Sequence, residues 1–520
     1  MNFMNAVKNT LDNEMNVSVT ENGAVGYKTS GKALLDLNFS VTSLRQMPDG
    51  EVVEKFMRAF VEDKVLAMKW LFYARDVRGG LGERRLLRTV LRSLIKTNPE
   101  MVLPLITLIP EYGRYDDLWC LLDDPDAAKL IYAYVDATLR ADWHHMLDNK
   151  PVSLLAKWMP SINASSAQTK KNGKRMCRAL HMSEANYRKS LSCLRRYIDV
   201  VERKMSAKLW GEIKYEAVPS RANLIYNSAF LRNDEARRRE FLAQVGFNKV
   251  TINASTLYPH DIVCKYSNGW SYGKPVDQTV EALWKALPDT VKGCGNTIVV
   301  ADGSGSMTSK VGNTLVSALN VANALAIYFA ERCSGQFKDK YITFSENPRF
   351  VDLSKATTLH HKLQIAVRHD EVANTNIEKV FDLILTTAVK NRMDQKDLPR
   401  NILIISDMEF DNCATSGDEA TTLSTYHYHR LMKPDARLFD EIAARFKAAG
   451  YEMPRLVFWN VCSRSGTIPV KQNNFGVALV SGFSVNVVKM VLSGKTDPYE
   501  CLLEALNSER YAPVETALKQ

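Results

Sequence analysis

The sequence predicts two differently built halves, an all-helical one followed by a doubly wound α/β one. Three observations lead there. From Glu51 onward helical patterns follow one another without an intervening strand, whereas beyond residue 293 short apolar, β-rich runs alternate with helical ones. The third is Ile298-Val-Val-Ala-Asp302-Gly-Ser304-Gly-Ser306-Met-Thr308, an apolar strand running straight into a turn that carries one carboxylate and two hydroxyls. Strand–helix alternation argues a mostly parallel sheet covered on both faces. The expected segments are a lead-in at 1–40, a helical domain at 41–292, an α/β domain at 293–495 and a C-terminal helix or tail at 496–520.

The lead-in includes the Gly-rich Thr20-Glu-Asn-Gly-Ala-Val-Gly-Tyr-Lys-Thr-Ser-Gly and is expected to be extended. Helical patterns then cover Val52–Glu62, Lys64–Arg75, Glu83–Lys96, Pro99–Ile109, Ala127–Leu147, Pro151–Met159, Glu184–Met205 and Asp234–Val245. Short helices with short connections suggest stacked pairs of the solenoid type, although no fixed-period repeat is visible. In the second half, strands are expected at Ile298–Ala301, Tyr341–Phe344, Ile402–Ser406, Leu456–Val461 and Val477–Val480. Helices are expected at Asn313–Arg332, Ile377–Lys390, Ala436–Ala449 and Val485–Leu492. The polar run Asp411–Thr425 reads as an inserted surface loop.

In a doubly wound sheet the C-terminal ends of the strands line one crevice. That places Asp302, Ser304 and Ser306 together with Asp407, which ends the second apolar strand, and Thr375, which precedes the helix from Ile377. Glycines at 303 and 305 are expected to let the backbone turn. Few carboxylates among neutral oxygens suit Mg2+, or another hard divalent cation, better than zinc. This spacing resembles the metal-ion-dependent adhesion site of the von Willebrand factor A family, with D-x-S-x-S, then a Thr, then a strand-ending Asp. The resemblance covers roughly residues 294–495, and it departs from the pattern where Ala373-Asn374 stand in place of glycines. It implies a metal whose coordination shell a partner's carboxylate completes.

Composition narrows the function classes. With 46% hydrophobic and 24% charged residues the chain is ordinary for a globular protein. No run of about 18 apolar residues exists, and the start lacks a secretion signal, so a cytoplasmic protein without a membrane role is expected. Nine cysteines form no C-x-x-C pair, which points away from a zinc site or a redox pair. No P-loop and no Ser/His/Asp set is present, so a binding protein is expected in preference to an enzyme.

Charge is uneven. Residues 151–290 hold 23 Lys plus Arg against 12 Asp plus Glu, a net of +11 where the whole chain has +10. Lys170, Lys171, Lys174, Arg175 and Arg178 crowd nine positions, followed by Arg188, Lys189, Arg195, Arg196, Arg203, Lys204 and Lys208. Were Glu184–Lys208 one helix, Arg188, Arg195 and Arg203 would share a face. A cationic helix face attracts phosphates, or it is simply solvated.

Trp70-Leu-Phe-Tyr-Ala-Arg75-Asp76-Val-Arg78-Gly-Gly-Leu-Gly82-Glu83-Arg84-Arg85 resembles the A-R-D-x-R-x-G-x-G-E-R signature of the Ro (TROVE) RNA-binding family and of an uncharacterised relative that adds a von Willebrand A domain. Glu111-Tyr-Gly-Arg-Tyr-Asp116-Asp117-Leu-Trp119, Ser153–Pro160 and Tyr258-Pro-His260 are similar to further segments of that pattern. The resemblance implies a ring of HEAT-like repeats that binds single-stranded, misfolded or small noncoding RNA. Carried over, that role falls on the basic residues above; His260 reads first as a packed turn histidine and second as an RNA contact. Arg75, Asp76, Arg78, Glu83 and Arg84 read first as an ion-pair and capping cluster and second as RNA contacts. Trp158 and Tyr187 read first as core and second as base-stacking rings. Three functions follow in order: a Ro-type RNA binder with a magnesium module for partner capture, a protein-interaction adaptor using the metal alone, and a metal-dependent nuclease.

Overall fold

The computed structural model describes residues 4, 16–19, 25–268, 271–291, 296–312, 314–344, 348–369, 377–409, 436–463, 468, 478–488 and 497–519. The chain forms two compact units, one of residues 1–48 with 257–505, the other of residues 49–256 with 506–520. The units therefore divide at points other than the expected 40, 292 and 495. The fold is an α-helical region plus an α/β region.

The α/β unit is built on a six-stranded sheet. A short hairpin of β1 (Val17–Val19) and β2 (Val25–Tyr27) precedes it. The sheet strands are β3 (Thr297–Asp302), β4 (Lys340–Phe344), β5 (Phe350–Asp352), β6 (Asn401–Ser406), β7 (Arg455–Asn460) and β8 (Ala478–Ser481). Their spatial order is β5-β4-β3-β6-β7-β8, parallel except for β5, which runs antiparallel along β4. Side chains alternate strictly. Val300, Ile342, Phe344, Ile402, Ile404, Leu456 and Phe458 enter one core with Val380 and Phe381 of the helix Ile377–Asn391 and Ile442 and Phe446 of the helix Ala436–Ala448.

The opposite face packs against the helix Ala318–Arg332, which is buried without interruption from Ala318 to Ala330. A helix apolar all round must be covered on its outer side too. Here the covering elements are the helices Pro259–Val263 and Leu359–Val367. This explains why residues 257–291 and 1–48 belong to the sheet unit: the former supply a second helical layer, and Phe39 joins the sheet core while its carbonyl accepts from Asn460 Nδ2 at 3.1 Å. The lead-in is helical from Ala33 to Phe39, not extended throughout. Edge strand β5 and the helix Leu359–Val367 were not foreseen; the former is three residues long and the latter weakly amphipathic.

The helical unit has no strand among its described residues. Its helices Asp49–Glu62, Lys64–Arg75 and Arg84–Thr97 pack on one another, as do Ser220–Asn233 and Glu235–Gly246. Three expected helices differ. Pro104 and Pro110 break the stretch after Pro99 into 3-10 turns and a short helix, because proline has no N–H to donate. Only Leu155–Trp158 is helical in 151–159. The run from Glu184 is two helices, Glu184–Tyr197 and Val201–Ser206, parted at Asp199, whose φ of 60° ends the first. Arg203 therefore does not continue the face of Arg188 and Arg195. The helix Ala167–Ala179, N-capped by Ser166, buries Asn172, Gly173, Met176 and Cys177 and so offers few apolar residues as a sequence signal.

The signature charges form the centre of this unit. Asp117 is fully buried and accepts from Arg75 Nε at 2.9 Å, from Arg88 Nε at 2.6 Å and from the Arg114 backbone N–H at 3.0 Å. Asp76 caps the Arg78 N–H at 2.9 Å and accepts from Arg510 and from Tyr511 Oη, so the C-terminal segment closes back on the first helices. The motif glycines have steric reasons. A Cβ on Gly80 would lie 1.9 Å from the Tyr73 carbonyl oxygen, and Gly82 holds φ at 75°.

Candidate metal crevice and basic helices

The connections from β3 and β6 depart toward opposite edges of the sheet, so the C-terminal ends of these two neighbours form the switch point at which such sheets bind ligands. Asp302 ends β3 and is buried. Its Oδ1 accepts the Ser304 N–H at 2.9 Å, and its Oδ2 accepts the Ser406 hydroxyl at 2.6 Å. Ser304 Oγ lies 3.0 Å from Ser306 Oγ. Asp407, also buried, follows β6 directly, and its Oδ1 accepts the Glu409 N–H at 3.2 Å. Four of the five expected ligands are thus positioned from β3 and β6, while Thr375 lies outside the described residues.

Burial pushes the Asp302 carboxyl up to about 7, and the neighbouring Asp407 charge adds to the rise. Hydrogen bonds from Ser406 and Ser304 oppose it. Two carboxylates this close in a dry crevice disfavour each other's ionisation, and a divalent cation would reverse that preference. The donor set of two carboxylates and two hydroxyls fits such an ion in chemistry. Among the described residues no cluster of three His, Cys, Asp or Glu side chains is arranged as a metal cage. Any cation would accordingly rely on Ser304, Ser306 and oxygens from solvent or a partner.

The turn is made differently from expectation. Neither Gly303 nor Gly305 takes a positive φ; residues 305–308 form a 3-10 turn instead. The strained residue is Met408, at φ 63°, whose N–H donates to Ser406 Oγ at 3.0 Å. Ser406 links that backbone to Asp302. The sequence reading missed Ser406 and the buried Glu409, whose Oε1 accepts from Ser463 Oγ at 3.4 Å. A Ser-Asp pair closing an apolar strand was the available signal for Ser406. The polar loop expected at 411–425 and Cys413 lie outside the described residues.

The basic residues divide by environment. Lys170, Lys171, Lys174, Arg178, Arg188, Lys189, Arg196 and Lys208 are exposed. Arg175 is held by Asp123 at 2.8 Å and by the Leu122 carbonyl. Arg195 turns inward, donating to the carbonyls of Ala156 at 2.8 Å and Met159 at 3.0 Å, and burial holds its pKa below the usual value. Lys204 is buried against Asp199 at 2.7 Å, and Arg203 is half-buried. His260 is buried in the sheet unit between Tyr258 and Phe483. Arg195, Lys204 and His260 thus make internal contacts, unlike the exposed cations. Tyr187 is core, its hydroxyl donating to the Pro160 carbonyl, and the Arg114 guanidinium covers Trp158 at 4.0 Å.

Residues 133–297 match a domain of unknown function, DUF2828, and residues 296–514 a second one, DUF7788, so the two matches meet at the start of β3. The chain is also similar to the uncharacterized protein L728 of Acanthamoeba polyphaga mimivirus, 28% identical across 96% of this chain and 89% of that protein. No helix among the described residues is long and apolar enough to cross a membrane.

Proposed function

We propose that the chain is an RNA-binding protein of the Ro type, in which HEAT-like helices present a basic surface to single-stranded, misfolded or small noncoding RNA. Its sheet unit, in this reading, is a von Willebrand A-like module that holds Mg2+ and captures a partner's carboxylate. The observation that carries the reading is a difference in how charge is spent. Eight exposed cations on or beside three successive helices stand in solvent, while two buried carboxylates within electrostatic reach of each other lie at strand ends at the sheet's switch point. Exposed cations cost nothing to leave unpaired and attract phosphate; buried paired carboxylates call for a cation. The strand order with its single antiparallel edge supports the von Willebrand A part.

We further read the protein as a binder in the cytoplasm and not as an enzyme. Asp302 and Asp407 are held by Ser406 and by backbone N–H groups, as ligands are, and the described cysteines are free. A filter-binding titration with single-stranded and structured RNA across a salt series tests the reading. Affinity at micromolar or better that falls steeply with salt supports it. Salt-independent or absent binding leaves the metal-based adaptor.

A further inference from the structure

The helix Arg84–Thr97 carries a second concentration of positive charge that neither the metal crevice nor the basic helices include. Leu86, Leu87, Val90, Leu91, Leu94 and Ile95 bury one face, which leaves Arg84, Arg85, Arg88 and Arg92 together on the other. These four arginines, with Asp49 and Thr89, line a cavity of about 440 Å³. A merely solvated basic face is convex. Here the arginines border an open depression with room for a small oxyanion.

The local charge balance favours an anion. Asp116 and Asp117 are already shared among Arg75, Arg84, Arg88 and Arg114. Asp49 meets Arg85 at 2.5 Å and also accepts from the Thr89 hydroxyl at 3.3 Å. Arg92 is exposed and forms no ion pair among the described residues. Six guanidinium groups thus face three carboxylates in one cluster. Burial, together with Arg88 and Arg114, works against the charge on Arg84, partly offset by Asp116 and Asp117. An arriving anion would relieve this crowding. Asp123 connects the cavity to the basic helices: its carboxyl is held low by Arg175 first, with Lys171 and Arg92 contributing.

We propose that this arginine-lined cavity is a phosphate-binding pocket, in which Arg85, Arg88 and Arg92 hold a phosphate or pyrophosphate group and Thr89 offers a hydroxyl. Guanidinium groups suit the task because each presents parallel N–H donors to two phosphate oxygens. Phosphate of this kind has two sources, the end or backbone of an RNA strand and a free polyphosphate or nucleotide. The pocket does not depend on the RNA reading, although under that reading it would anchor one end of a strand lying across Lys171.

Calorimetric titration of the whole chain with inorganic pyrophosphate tests the proposal. Saturable binding, weakened about tenfold or more in Arg92→Ala and in Arg85→Ala and unchanged in Arg140→Ala, is expected. Arg85 and Arg92 are exposed, so both variants should keep the wild-type circular dichroism. Absence of saturable binding, or equal weakening in Arg140→Ala, overturns it. Competition by an oligoribonucleotide bearing a 5′-phosphate, but not by its 5′-hydroxyl form, assigns the pocket to RNA; competition by nucleoside triphosphate alone assigns it to a free ligand. RNA binding that persists in Arg92→Ala without any pyrophosphate site would sink the pocket and leave the RNA reading standing.

Discussion

Asp117 in the helical unit and Asp302 in the sheet unit are both buried, yet their surroundings push them in opposite directions. Although burial alone would raise it, Asp117 is held below the usual carboxylate range, Arg75 acting first and Arg88 next. Asp302 is raised, by burial first and by Asp407 second. The first carboxylate has its cations supplied by the chain; the second has only hydroxyls, backbone N–H groups and another acid. Compensated charge marks structure, and uncompensated charge marks a place where something else is expected to bind. The comparison bears on the signature motif: Arg75, Asp76 and Arg84, which read first from sequence as an ion-pair and capping cluster, have their partners Asp117, Arg510 and Asp116 within the same unit.

The largest effect should come from removing the compensated acid. Asp117→Ala leaves Arg75 as a buried, unpaired charge, while Arg88 keeps Asp116, and should cost about 3–5 kcal/mol in urea denaturation. The sign in pH follows. Because its folded pKa is depressed, Asp117 contributes stability above the unfolded carboxylate value and loses it as pH falls below that value. A loss under about 1 kcal/mol would break the contrast at its structural end.

The opposite sign is expected at Asp302. Its folded pKa is raised, so without metal its ionisation costs stability as pH rises from the ordinary carboxylate value toward about 7. Asp302→Asn should therefore stabilise the metal-free protein at neutral pH, by on the order of a few kcal/mol at most. Asp302→Ala should abolish Mg2+ binding in calorimetry, and Asp407→Ala should weaken it. Retained magnesium affinity in Asp302→Ala would remove the metal assignment altogether.

A smaller effect separates surface cations from packed ones. Reversing Lys170, Lys171, Lys174 and Arg178 to Glu should weaken all RNAs alike and flatten the log–log salt slope, by about 0.7 to 0.9 per lost phosphate contact. Arg195→Ala should behave in the opposite way. Its guanidinium ties the Ala156 and Met159 carbonyls, so melting temperature should fall while the slope stays unchanged. A flattened slope in Arg195→Ala would put that residue back on an RNA surface.

Strand positions and the long helices were legible because short continuous apolar runs and an apolar stripe leave direct traces: β6 begins one residue before its expected start, and the helix Lys64–Arg75 has its expected ends. Asp302, Ser304, Ser306 and Asp407 were legible because strand ends in a parallel sheet share one crevice. The hidden features depend on contacts distant in sequence. Nothing near Arg510 announces that it closes on Asp76, and nothing near Arg195 announces that its face is covered. Helices such as Ala167–Ala179, in which Met176 and Cys177 are nearly the only buried apolar side chains, offer few apolar residues to read. The arginines at 84, 85, 88 and 92 were visible as charge, but concavity is a property of packing.

The smallest expected effect is none at all. The metal ligands belong to one compact unit and the exposed basic residues to the other, so EDTA should leave RNA affinity unchanged unless binding free energy is coupled between them. The measurement is a pair of RNA titrations at one ionic strength, with magnesium and with chelator, since salt alone would shift both. A change beyond about twofold would mean that the two differently charged regions act as one site. RNA that remains intact through prolonged incubation in magnesium supports a binder with a separate partner-capture site. Magnesium-dependent cleavage that disappears in Asp302→Ala would instead make the raised carboxyl of Asp302 a catalytic group, and the contrast with Asp117 would become one between a structural and a reactive acid.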